Sequence, residues 1–403
     1  MKPGLERVEA ALERLAPLSL PPLVQIVGTN GKGSTAHFLT AIARAHGLKT
    51  CLYTSPHFVS VRERILVDGG MLEERIWVDL ANQVEEKAGD LELTYFEFLT
   101  VMAVLAAVDT RADVGVFEAG LGGSFDATTA LQRQEVLFCP ISLDHQEILG
   151  RNVATIARDK SGALRPGMRA VTARQPEAAM RVLQQQCMQT GVECLSAAEL
   201  YRFDSDQIVD QVSGDVFLEA VELGLPGQFQ QENAIVALAG WSVFCRITGW
   251  SLRPQACKQG LSRAWLPGRL QLVSGNPDII LDGAHNASGL QTLARELETR
   301  GIRPEAVIFT CLEDKDIEVM ADLVVRLGSG TILVPELDNP RAMGAEDLAL
   351  RIGPPARAVA SLKAALDGVA AAKGSVLVCG SLYLLGEFYR MFPHALHRSA
   401  RRS

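Results

Sequence analysis

The chain has 403 residues, of which 48% are hydrophobic and 21% are charged. This balance is typical of a folded globular protein and excludes a disordered chain. The formal net charge of −8 gives no overall positive field, so nucleic acid is not an expected partner. The longest apolar run, residues 101–108, is too short to cross a bilayer, and we expect no membrane partner.

The ends of the chain and its cysteines indicate a compartment. Residues 1–4 lead into a charged amphipathic stretch and lack the apolar core of a signal peptide. Eight scattered cysteines without a C-x-x-C pair are typical of reduced thiols in the cytoplasm. A short basic end, which we interpret as a solvated tail, contains His397, Arg398, Arg401 and Arg402. The sequence therefore predicts a cytoplasmic enzyme, and its length suits two domains.

Short apolar strands alternate with helical stretches along most of the chain. The first strand covers residues 24–27, and a glycine-rich turn then leads into a helix with apolar residues at helical spacing. Further strands are expected at residues 114–117, 136–141, 279–281, 307–310, 332–334 and 376–378, and a helix at 288–299. This alternation predicts an α/β protein with parallel sheets covered on both faces. Residues 175–225 are less periodic, and the pattern does not place their strands.

A domain boundary is expected near Pro267 and Gly268. These two residues follow a helical region and precede a new strand-turn-helix pattern that begins near Leu270. The sequence therefore predicts a nucleotide-binding domain over residues 1–268 and a smaller α/β domain over residues 269–403.

The turn at residues 28–35, Gly-Thr-Asn-Gly-Lys-Gly-Ser-Thr, has the composition of a phosphate-binding loop. Glycines let backbone N–H groups approach phosphate oxygens, and a helix start adds a favourable dipole. Lys32 could reach the outer phosphates, while Ser34 or Thr35 could offer a hydroxyl to Mg²⁺. The strict G-x-x-x-x-G-K-[ST] pattern fails, because Ile26 replaces its first glycine and an extra glycine follows the lysine. The alternative is a tight turn with an exposed lysine, but the flanking strand and helix favour nucleotide binding.

Polar residues follow two of the expected strands in the first domain. Glu118 ends one strand, and in open α/β sheets ligands collect at the carboxyl ends of strands. Asp126 lies in the following glycine-rich turn, and Asp144 and His145 come just past the next strand. By itself His145 fits a satisfied buried histidine better than a ligand, and the neighbouring strand-end residues strengthen the case for a ligand. Glu118 is therefore a candidate ligand for the nucleotide's metal.

Other polar positions carry less information by themselves. Asp282 and Asn286 lie in a strand-end turn that opens a helix, so they either cap that helix or bind a ligand. Lys160, His57 and Arg64 have the pattern of ordinary surface residues.

Taken together, these segments resemble the folylpolyglutamate synthase/dihydrofolate synthase family, relatives of the muramyl peptide ligases. The matching segments occur in the family's order and span residues 28 to 383. They are residues 28–35, 55–57, 63–65, 96–100, 118–126, 144–145, 160, 225–227, 233–234, 268–269, 282–286, 314–316 and 380–383.

The resemblance implies a P-loop NTPase-like parallel-sheet domain and a smaller Rossmann-like domain, with ATP and two Mg²⁺ ions as cofactors. The implied nucleotide contacts are Thr29, Asn30, Gly31, Lys32, Gly33, Ser34, Thr35, Asn233, Arg269 and Asp282. The implied metal ligands are Ser34, Glu118, His145 and Lys160, the last as a carbamate. The implied acceptor and glutamate positions are Ser55, Pro56, His57, Arg64, Asp126, His285 and Ser381. The implied catalytic residues are Lys32, Lys160, Arg269 and His285.

The activity implied by the resemblance is ATP-dependent ligation of L-glutamate to dihydropteroate and to the glutamyl tail of reduced folates, through an acyl phosphate. The implied partners are these small molecules, and family precedent favours a monomer. The chain departs from the family pattern at Ser124 and Thr129, where the family has arginine and asparagine, and at Ser161, where it often has alanine. A ligase of the same fold with a changed carboxylate acceptor is therefore the main alternative. A third hypothesis is a regulatory module that has lost catalysis, and the intact phosphate loop argues against it.

Overall fold

The computed structural model describes residues 4–397, which form two compact units. The first contains residues 4–57, 61–224 and 230–265, and the second contains residues 58–60, 225–229 and 266–397. The single boundary predicted after residue 268 stays a prediction. Three short segments of the first 268 residues, 58–60, 225–229 and 266–268, group with the second unit. The arginines of the basic tail lie outside the described residues. Within residues 4–397, no helix is both long enough and apolar enough to cross a membrane.

The first unit is built on an eight-stranded sheet with the order β4-β3-β2-β5-β1-β6-β7-β8. Its strands are β1 (Leu23–Val27), β2 (Thr50–Tyr53), β3 (Ile65–Val67), β4 (Gly70–Met71), β5 (Val114–Glu118), β6 (Glu135–Phe138), β7 (Arg169–Thr172) and β8 (Glu193–Ser196). Six strands, from β2 to β8 in the sheet order, are parallel, while β3 and β4 extend one edge in antiparallel pairing. The prediction of a parallel α/β sheet is confirmed, and the antiparallel edge was not expected.

Ten helices and a small second sheet complete the first unit. The helices are α1 (Glu6–Leu15), α2 (Lys32–Ala45), α3 (Glu74–Ala88), α4 (Tyr95–Asp109), α5 (Gln146–Leu149), α6 (Val153–Ser161), α7 (Glu177–Thr190), α8 (Ala197–Leu200), α9 (Phe229–Thr248) and α10 (Pro254–Arg263). The small sheet is antiparallel and contains β9 (Tyr201–Asp204), β10 (Gln207–Asp210) and β11 (Val216–Leu218). Five of these elements, α7, α8, β9, β10 and β11, lie in the stretch that the sequence pattern did not resolve.

The position of β1 determines where a ligand can bind. All five residues of β1 are buried, and its neighbours in the sheet are β5 and β6. The chain therefore crosses over β1 between β5 and β6. In open α/β sheets such a crossing leaves a crevice at the carboxyl ends of the strands, where ligands bind. The loops after β1, β5 and β6 meet at this edge.

One charged residue lies inside the sheet. Glu135 opens β6 and is fully buried, and neither of its carboxylate oxygens has a hydrogen-bond partner among residues 4–397. Burial raises the pKa of Glu135 well above its ordinary value, because the low-dielectric interior disfavours the charged form. Burial therefore favours the neutral form of this side chain.

His46, just past α2, joins three parts of the first unit. Its Nδ1 lies 2.9 Å from the Ile42 carbonyl, and its Nε2 accepts hydrogen bonds from the Trp241 indole (3.3 Å) and the Arg253 N–H (3.0 Å). Nε2 can accept only when it carries no proton, so these contacts need the neutral ring with a proton on Nδ1. Burial, aided by the positive charge of Arg253, lowers the pKa of His46 below its usual 6.5.

We expect this contact to make the first unit sensitive to acid. The folded state disfavours the protonated ring, so stability is full above the unfolded pKa of 6.5 and declines as the pH falls through the lower folded value. Urea unfolding followed by tryptophan fluorescence at pH 7.5 and 5.5 measures this loss. The loss should be smaller in His46→Gln, which cannot be protonated, and an equal loss in both proteins would contradict the assignment.

The second unit has a six-stranded sheet with the order β12-β13-β17-β14-β15-β16. Its strands are β12 (Gln271–Val273), β13 (Ile279–Leu281), β14 (Ala306–Phe309), β15 (Thr331–Pro335), β16 (Ala356–Val359) and β17 (Val376–Cys379). Its helices are α11 (Ala287–Thr299), α12 (Ile317–Arg326), α13 (Ala345–Ile352), α14 (Leu362–Gly368) and α15 (Leu382–Met391). Only β12 is antiparallel to its neighbour, so this unit is a second, mainly parallel α/β fold.

Candidate active site

The loop after β1 lies very close to the end of β6. A Cβ atom on Gly28 would lie 2.6 Å from the Cβ of Cys139, which no real contact allows, so only glycine fits there. Gly31 has a φ of 85°, a left-handed conformation that glycine adopts without strain, and α2 begins at the next residue. The glycines of the loop therefore place the first turn of α2 at the carboxyl edge of the sheet.

Hydrogen bonds to the neighbouring loop hold this turn in place. The N–H groups of Thr29 and Asn30 donate to the Pro140 carbonyl at 2.9 and 3.3 Å. The Thr29 hydroxyl donates to the Ser142 carbonyl and accepts from the Ser142 N–H, each at 3.1 Å. The backbone N–H groups of Thr29 and Asn30 thus hold the loop in place. Residues 32–34 form the first turn of α2, and their N–H groups have no acceptor within the helix. An anion at this helix start would be bound by the N–H groups of residues 32–34.

Two lysines contact carbonyl groups of the same loop. The Lys32 Nζ lies 3.3 Å from the Thr29 carbonyl, and the Lys160 Nζ donates to the Gly28 carbonyl at 2.8 Å. Lys160, on α6, is only 4% exposed. Burial first, and the nearby charge of Lys32 second, lower the pKa of Lys160 to about 7. The structure therefore gives Lys160 a place in the site that its sequence pattern alone did not predict.

Ser34, Thr35 and Asn233 surround the first turn of α2. Ser34 and Thr35 are buried, and the Thr35 hydroxyl accepts a hydrogen bond from the Cys139 thiol at 3.3 Å. The Asn233 amide donates to the Gln230 side chain at 2.9 Å, and its oxygen lies against Gly31. A Cβ atom on Gly31 would lie 2.3 Å from that oxygen. The first unit thus brings Asn233, on α9, to the phosphate loop.

Gly31→Ala should weaken nucleotide binding as well as stability. The left-handed conformation costs alanine about 1–2 kcal/mol, and the new methyl group also meets the Asn233 side chain. Gly47 is a matched control, because its φ is 86° and no atom lies within 4 Å of a Cβ built there. Thermal melts should show destabilisation in both variants, larger in Gly31→Ala, and nucleotide titration calorimetry should show weaker binding in Gly31→Ala alone. Unchanged binding in Gly31→Ala would contradict this role.

The ends of β2 and β5 place a carboxylate beside the loop of the predicted acceptor residues. Glu118 is buried, and its Oε2 accepts the Ser55 N–H at 3.2 Å. His57 follows Ser55 and Pro56 directly, and its Nδ1 accepts a hydrogen bond from the Arg64 guanidinium at 2.9 Å. The Arg64 guanidinium also lies 5.3 Å from the centre of the Tyr95 ring, a cation–π distance. Ser55, His57 and Arg64 are therefore brought together, and Ser55 contacts Glu118.

His145 follows β6 in a left-handed conformation, with a φ of 48°. Its N–H donates to Asp144 at 2.9 Å, and its Nε2 lies 4.0 Å from the other oxygen of that buried carboxylate. Across residues 4–397, no three His, Cys, Asp or Glu side chains are grouped closely enough to hold a metal ion. The predicted metal ligands include only two residues of those types, Glu118 and His145, so this finding leaves that prediction untested.

Asp126 organises the loop that follows β5. One carboxylate oxygen accepts the N–H groups of Gly120 (2.8 Å) and Leu121 (3.0 Å), and the other accepts the N–H (3.0 Å) and hydroxyl (2.5 Å) of Thr128. Burial raises the pKa of Asp126, and these hydrogen bonds to the charged form oppose that rise. Both oxygens are engaged within the chain, so the structure shows a loop-forming role, and direct substrate contact stays a prediction.

Two of the departures from the family pattern, Ser124 and Thr129, hold this loop in place. The Ser124 hydroxyl donates to the Asp159 carbonyl at 2.9 Å, and the Thr129 hydroxyl donates to the Gly123 carbonyl at 2.7 Å. A Cβ atom on Gly123 would lie 2.4 Å from the Lys160 carbonyl. The loop after β5 is therefore packed directly on the helix that carries Lys160, and Ser124 is one of the links.

In the second unit, Asp282 holds a turn beside Arg269. Its oxygens accept the N–H groups of Leu270 (2.8 Å) and Ala284 (2.9 Å), and the Arg269 guanidinium donates to the Gly268 carbonyl at 3.0 Å. Burial raises the pKa of Asp282, while the charge of Arg269 lowers it. Asp282 thus joins the start and the end of the β12–β13 hairpin and does not cap α11.

The other predicted residues of the second unit lie at helix starts. Asn286 caps α11 by accepting the Gly289 N–H at 2.8 Å, and buried Ser381 caps α15 by accepting the N–H two residues on at 3.2 Å. The His285 Nδ1 lies 2.7 Å from the carbonyl of Gly283. A carbonyl only accepts, so in the neutral ring the proton is on Nδ1 and the lone pair is on Nε2.

Sequence reasoning missed two residues near the site. The Gln175 side chain donates to the Cys139 carbonyl at 3.0 Å and accepts the Ile141 N–H at 2.9 Å, so it supports the loop after β6. Phe125 is 58% exposed, although it lies between two anchored residues of the loop after β5. We treat this exposed ring as a candidate contact for a ligand, and its position beside Asp126 was the available signal.

The chain resembles known proteins over both of its units. Residues 268–382 match the family described as Mur ligase, glutamate ligase domain. This domain, with the P-loop sheet before it, defines an ATP-dependent ligase.

The dihydrofolate synthase/folylpolyglutamate synthase of Escherichia coli is 34% identical, over 94% of this chain and 89% of the relative. The bifunctional synthase of Yersinia pestis, solved with Mn, AMPPNP and L-glutamate bound, superposes with a TM-score of 0.88 at 30% identity, over 98% of this chain and 95% of that one. Escherichia coli FolC in complex with DHPP and ADP superposes with a TM-score of 0.87 at 29% identity, over 98% of this chain and 94% of that one. The chain belongs to the folylpolyglutamate synthase/dihydrofolate synthase family.

Proposed function

We propose that this protein joins L-glutamate to dihydropteroate, and adds further glutamates to the tail of reduced folates, with ATP as the energy source. The observation that carries the proposal is the phosphate loop, where Lys32, Lys160 and the start of α2 converge at the carboxyl edge of the sheet. Relatives that bear both activities in their names, and that extend over nearly the whole chain, support the choice of substrates.

The reaction proceeds in two steps. A carboxylate oxygen of the acceptor attacks the γ-phosphorus of ATP, the bond to the β-phosphate oxygen breaks, and an acyl phosphate and ADP form. The glutamate nitrogen then attacks the acyl carbon, inorganic phosphate leaves with its bonding electrons, and the nitrogen loses a proton. The first step gives the carboxylate a good leaving group, since a free carboxylate is a poor electrophile.

The chain's own groups act mainly by positioning and by neutralising charge. The N–H groups at the start of α2 bind phosphate oxygens, and the Lys32 ammonium neutralises charge on the transferred phosphoryl group. In the second unit we assign Arg269 and Asp282 to the nucleotide and Ser381 to the glutamate. His285 is the candidate to accept the amine proton, because its neutral tautomer carries a lone pair on Nε2.

The residues at this edge fit a divalent metal. Ser34 and Glu118 supply buried hydroxyl and carboxylate oxygens, which are ligands that Mg²⁺ prefers. We assign a second metal position to His145 and Lys160. Lys160 fits only as a carbamate, because a protonated amine repels a cation. When bound, the metal neutralises negative charge on the phosphate oxygens.

We assign the acceptor to the surface formed by Ser55, Pro56, His57 and Arg64 with the loop after β5. Phe125→Ala should raise the KM for dihydropteroate about fivefold, because stacking of a planar ring on an aromatic side chain contributes about 1 kcal/mol. The KM for ATP should stay unchanged. Met188→Ala, at an exposed apolar residue on α7, is the control. Initial rates at varied acceptor concentration measure this effect, and an unchanged acceptor KM would remove Phe125 from the acceptor site.

The decisive experiment measures ATP-dependent phosphate release with Mg²⁺ and glutamate. Dihydropteroate and a reduced monoglutamyl folate are compared as acceptors. Release with both establishes the two activities, and release with one limits the enzyme to that half. If neither acceptor supports phosphate release while ATP still binds, a ligase with a changed acceptor is favoured. Ser124→Arg and Thr129→Asn, which restore the family residues, would then be the variants to make.

We further propose that the protein works as a monomer on small molecules in the cytoplasm. Support for the compartment comes from the cysteines. All eight are free thiols, and seven of them are buried. Gel filtration with light scattering tests the monomer.

A further inference from the structure

Arg133 is a buried charge to which the proposed reaction gives no role. It lies two residues before β6, between the loop after β5 and the sheet, and it is only 9% exposed. Its Nη1 donates to the carbonyls of Thr128 and Leu131 at 3.0 and 2.8 Å, and also to that of Thr129. Its Nη2 donates to the Ala163 carbonyl at 2.8 Å. One guanidinium thus binds two segments of the main chain that are 30 residues apart.

The environment of this guanidinium is unusual for a buried charge. All four of its partners are carbonyl oxygens, and its buried Nε has no hydrogen-bond partner among residues 4–397. Burial first, and the charge of Arg165 second, lower the pKa of Arg133 to about 9, while the charge of Asp126 raises it. A buried cation that lacks a hydrogen-bonded carboxylate is costly, so stability alone does not account for it. Such costs are found mainly at functional sites.

The first segment that Arg133 binds anchors the loop after β5. Thr128 donates its N–H and its hydroxyl to Asp126, at 3.0 and 2.5 Å, and the Thr129 hydroxyl donates to the Gly123 carbonyl at 2.7 Å. The side chains of the two threonines therefore hold the loop, while their carbonyls are held by Arg133. A shift of the guanidinium would move these anchors with it.

The second segment that Arg133 binds is the end of α6. Ala163 lies two residues past this helix, and its N–H donates to the Lys160 carbonyl at 3.1 Å. The Ser124 hydroxyl, which donates to the Asp159 carbonyl, ties another point of the loop to the same helix end. Arg133 and Ser124 therefore fasten the two ends of the loop after β5 to the last turn of α6.

We propose that Arg133 is a positioning residue that clamps the loop after β5 onto the end of the helix that carries Lys160. The proposal rests on the proposed function, in which this loop forms part of the acceptor site. Arg133 acts through the main chain and needs no contact with the substrate. The phosphate loop is held instead by Pro140 and Ser142, so we expect loss of Arg133 to affect the acceptor more than ATP.

Arg133→Met keeps the apolar stem and removes the donors. It should raise the KM for dihydropteroate about tenfold and change the KM for ATP less than about twofold, because a displaced loop misplaces the acceptor alone. Arg133→Lys keeps the charge, but one ammonium cannot occupy the positions of both Nη1 and Nη2, so its acceptor KM should rise about threefold. The control is Ile208→Ala, at a fully buried residue of the small antiparallel sheet. It lowers stability and should leave both KM values within about twofold of normal.

Amide hydrogen exchange, followed by mass spectrometry, tests the clamp without any turnover. The N–H groups of Gly120, Leu121 and Thr128 are bound to Asp126, so exchange over residues 120–128 reports the opening of the loop. Exchange there should be about tenfold faster in Arg133→Met than in the normal protein, and unchanged in Ile208→Ala. Exchange over residues 24–30, which include the phosphate loop's first residues, should stay the same in all three proteins.

Faster exchange of this loop together with a raised acceptor KM supports the proposal. Equal exchange in Arg133→Met and the normal protein overturns it, as does equal loosening in Ile208→Ala. Faster exchange with an unchanged acceptor KM would make Arg133 a purely structural residue, which also overturns it. If the normal protein released no phosphate with either acceptor, the proposed function would fail, whereas the exchange rates would still decide whether the clamp exists. If Arg133→Met does not fold, Arg133→Lys carries the same comparison.

Discussion

Lys32→Ala is expected to lower ATP-dependent phosphate release by a factor on the order of 10²–10³. The Lys32 ammonium is held beside the Thr29 carbonyl at the start of α2, where an outer phosphate would lie. Removing it leaves the transferred phosphoryl charge without its main side-chain counter-charge. Because that charge develops during transfer, kcat should fall more than the KM for ATP rises. Coupled-enzyme assays of phosphate release, at varied ATP and saturating glutamate and acceptor, measure both constants.

The control for this prediction is Lys373→Ala, which removes the same charge from an exposed position in the second unit. It should retain normal turnover. If Lys32→Ala kept more than half of the normal kcat, the role assigned to the phosphate loop would be wrong.

Lys160→Ala is expected to lower turnover by a factor on the order of 10². Lys160 is buried on α6, and its Nζ contacts the Gly28 carbonyl of the phosphate loop. With the pKa of Lys160 lowered to about 7, a large fraction of the amine is neutral at physiological pH. Only the neutral amine reacts with CO₂, so the carbamate fraction should rise as the pH increases through about 7.

Lys160→Arg distinguishes a carbamate from a simple positive charge. Arginine keeps the charge and can still donate to the Gly28 carbonyl, but it does not form a carbamate under these conditions. The carbamate assignment therefore predicts that Lys160→Arg is as inactive as Lys160→Ala. ¹³C NMR with labelled bicarbonate should show a carbamate signal that both variants lack. Full activity in Lys160→Arg would contradict the carbamate.

Local sequence patterns predicted the parts of the fold that depend on local interactions. The strand before the phosphate loop and the helix after it are present as β1 and α2. The strand expected at residues 279–281 matches β13, and the helix expected at 288–299 differs from α11 by one residue. Apolar periodicity and glycine turns suffice for such elements because the burial of each is set within a few residues.

The sequence pattern was misleading where a buried position is occupied by a charged residue or where a helix is rich in polar residues. The strand expected at 136–141 is β6, which begins one residue earlier at Glu135 and ends at Phe138, before Pro140. A glutamate is not expected inside a sheet, and proline cannot donate to the strand ladder. Helix α7 has only four buried residues in a sequence rich in glutamine, which weakens its apolar period.

Tertiary hydrogen bonds explain why the site was only partly predictable. The carboxylate of Asp126 folds its own loop, Ser124 links that loop to α6, and Lys160 reaches back to Gly28. Each of these contacts joins residues whose spacing carries no periodic signal. The family resemblance indicated Lys160 and Asp126, but only the structure shows what their side chains contact.

The reciprocal hydrogen bonds between Thr29 and Ser142 have a consequence for cooperativity. They join the loop after β1 to the loop after β6, so a ligand that moves one loop shifts the other. Ser142 is three residues from His145, the proposed metal ligand. Linkage between two sites is reciprocal. If phosphate binding at α2 raises the metal affinity near His145 by some factor, metal binding near His145 raises the phosphate affinity by the same factor. Nucleotide and metal are thus expected to bind as one thermodynamic unit.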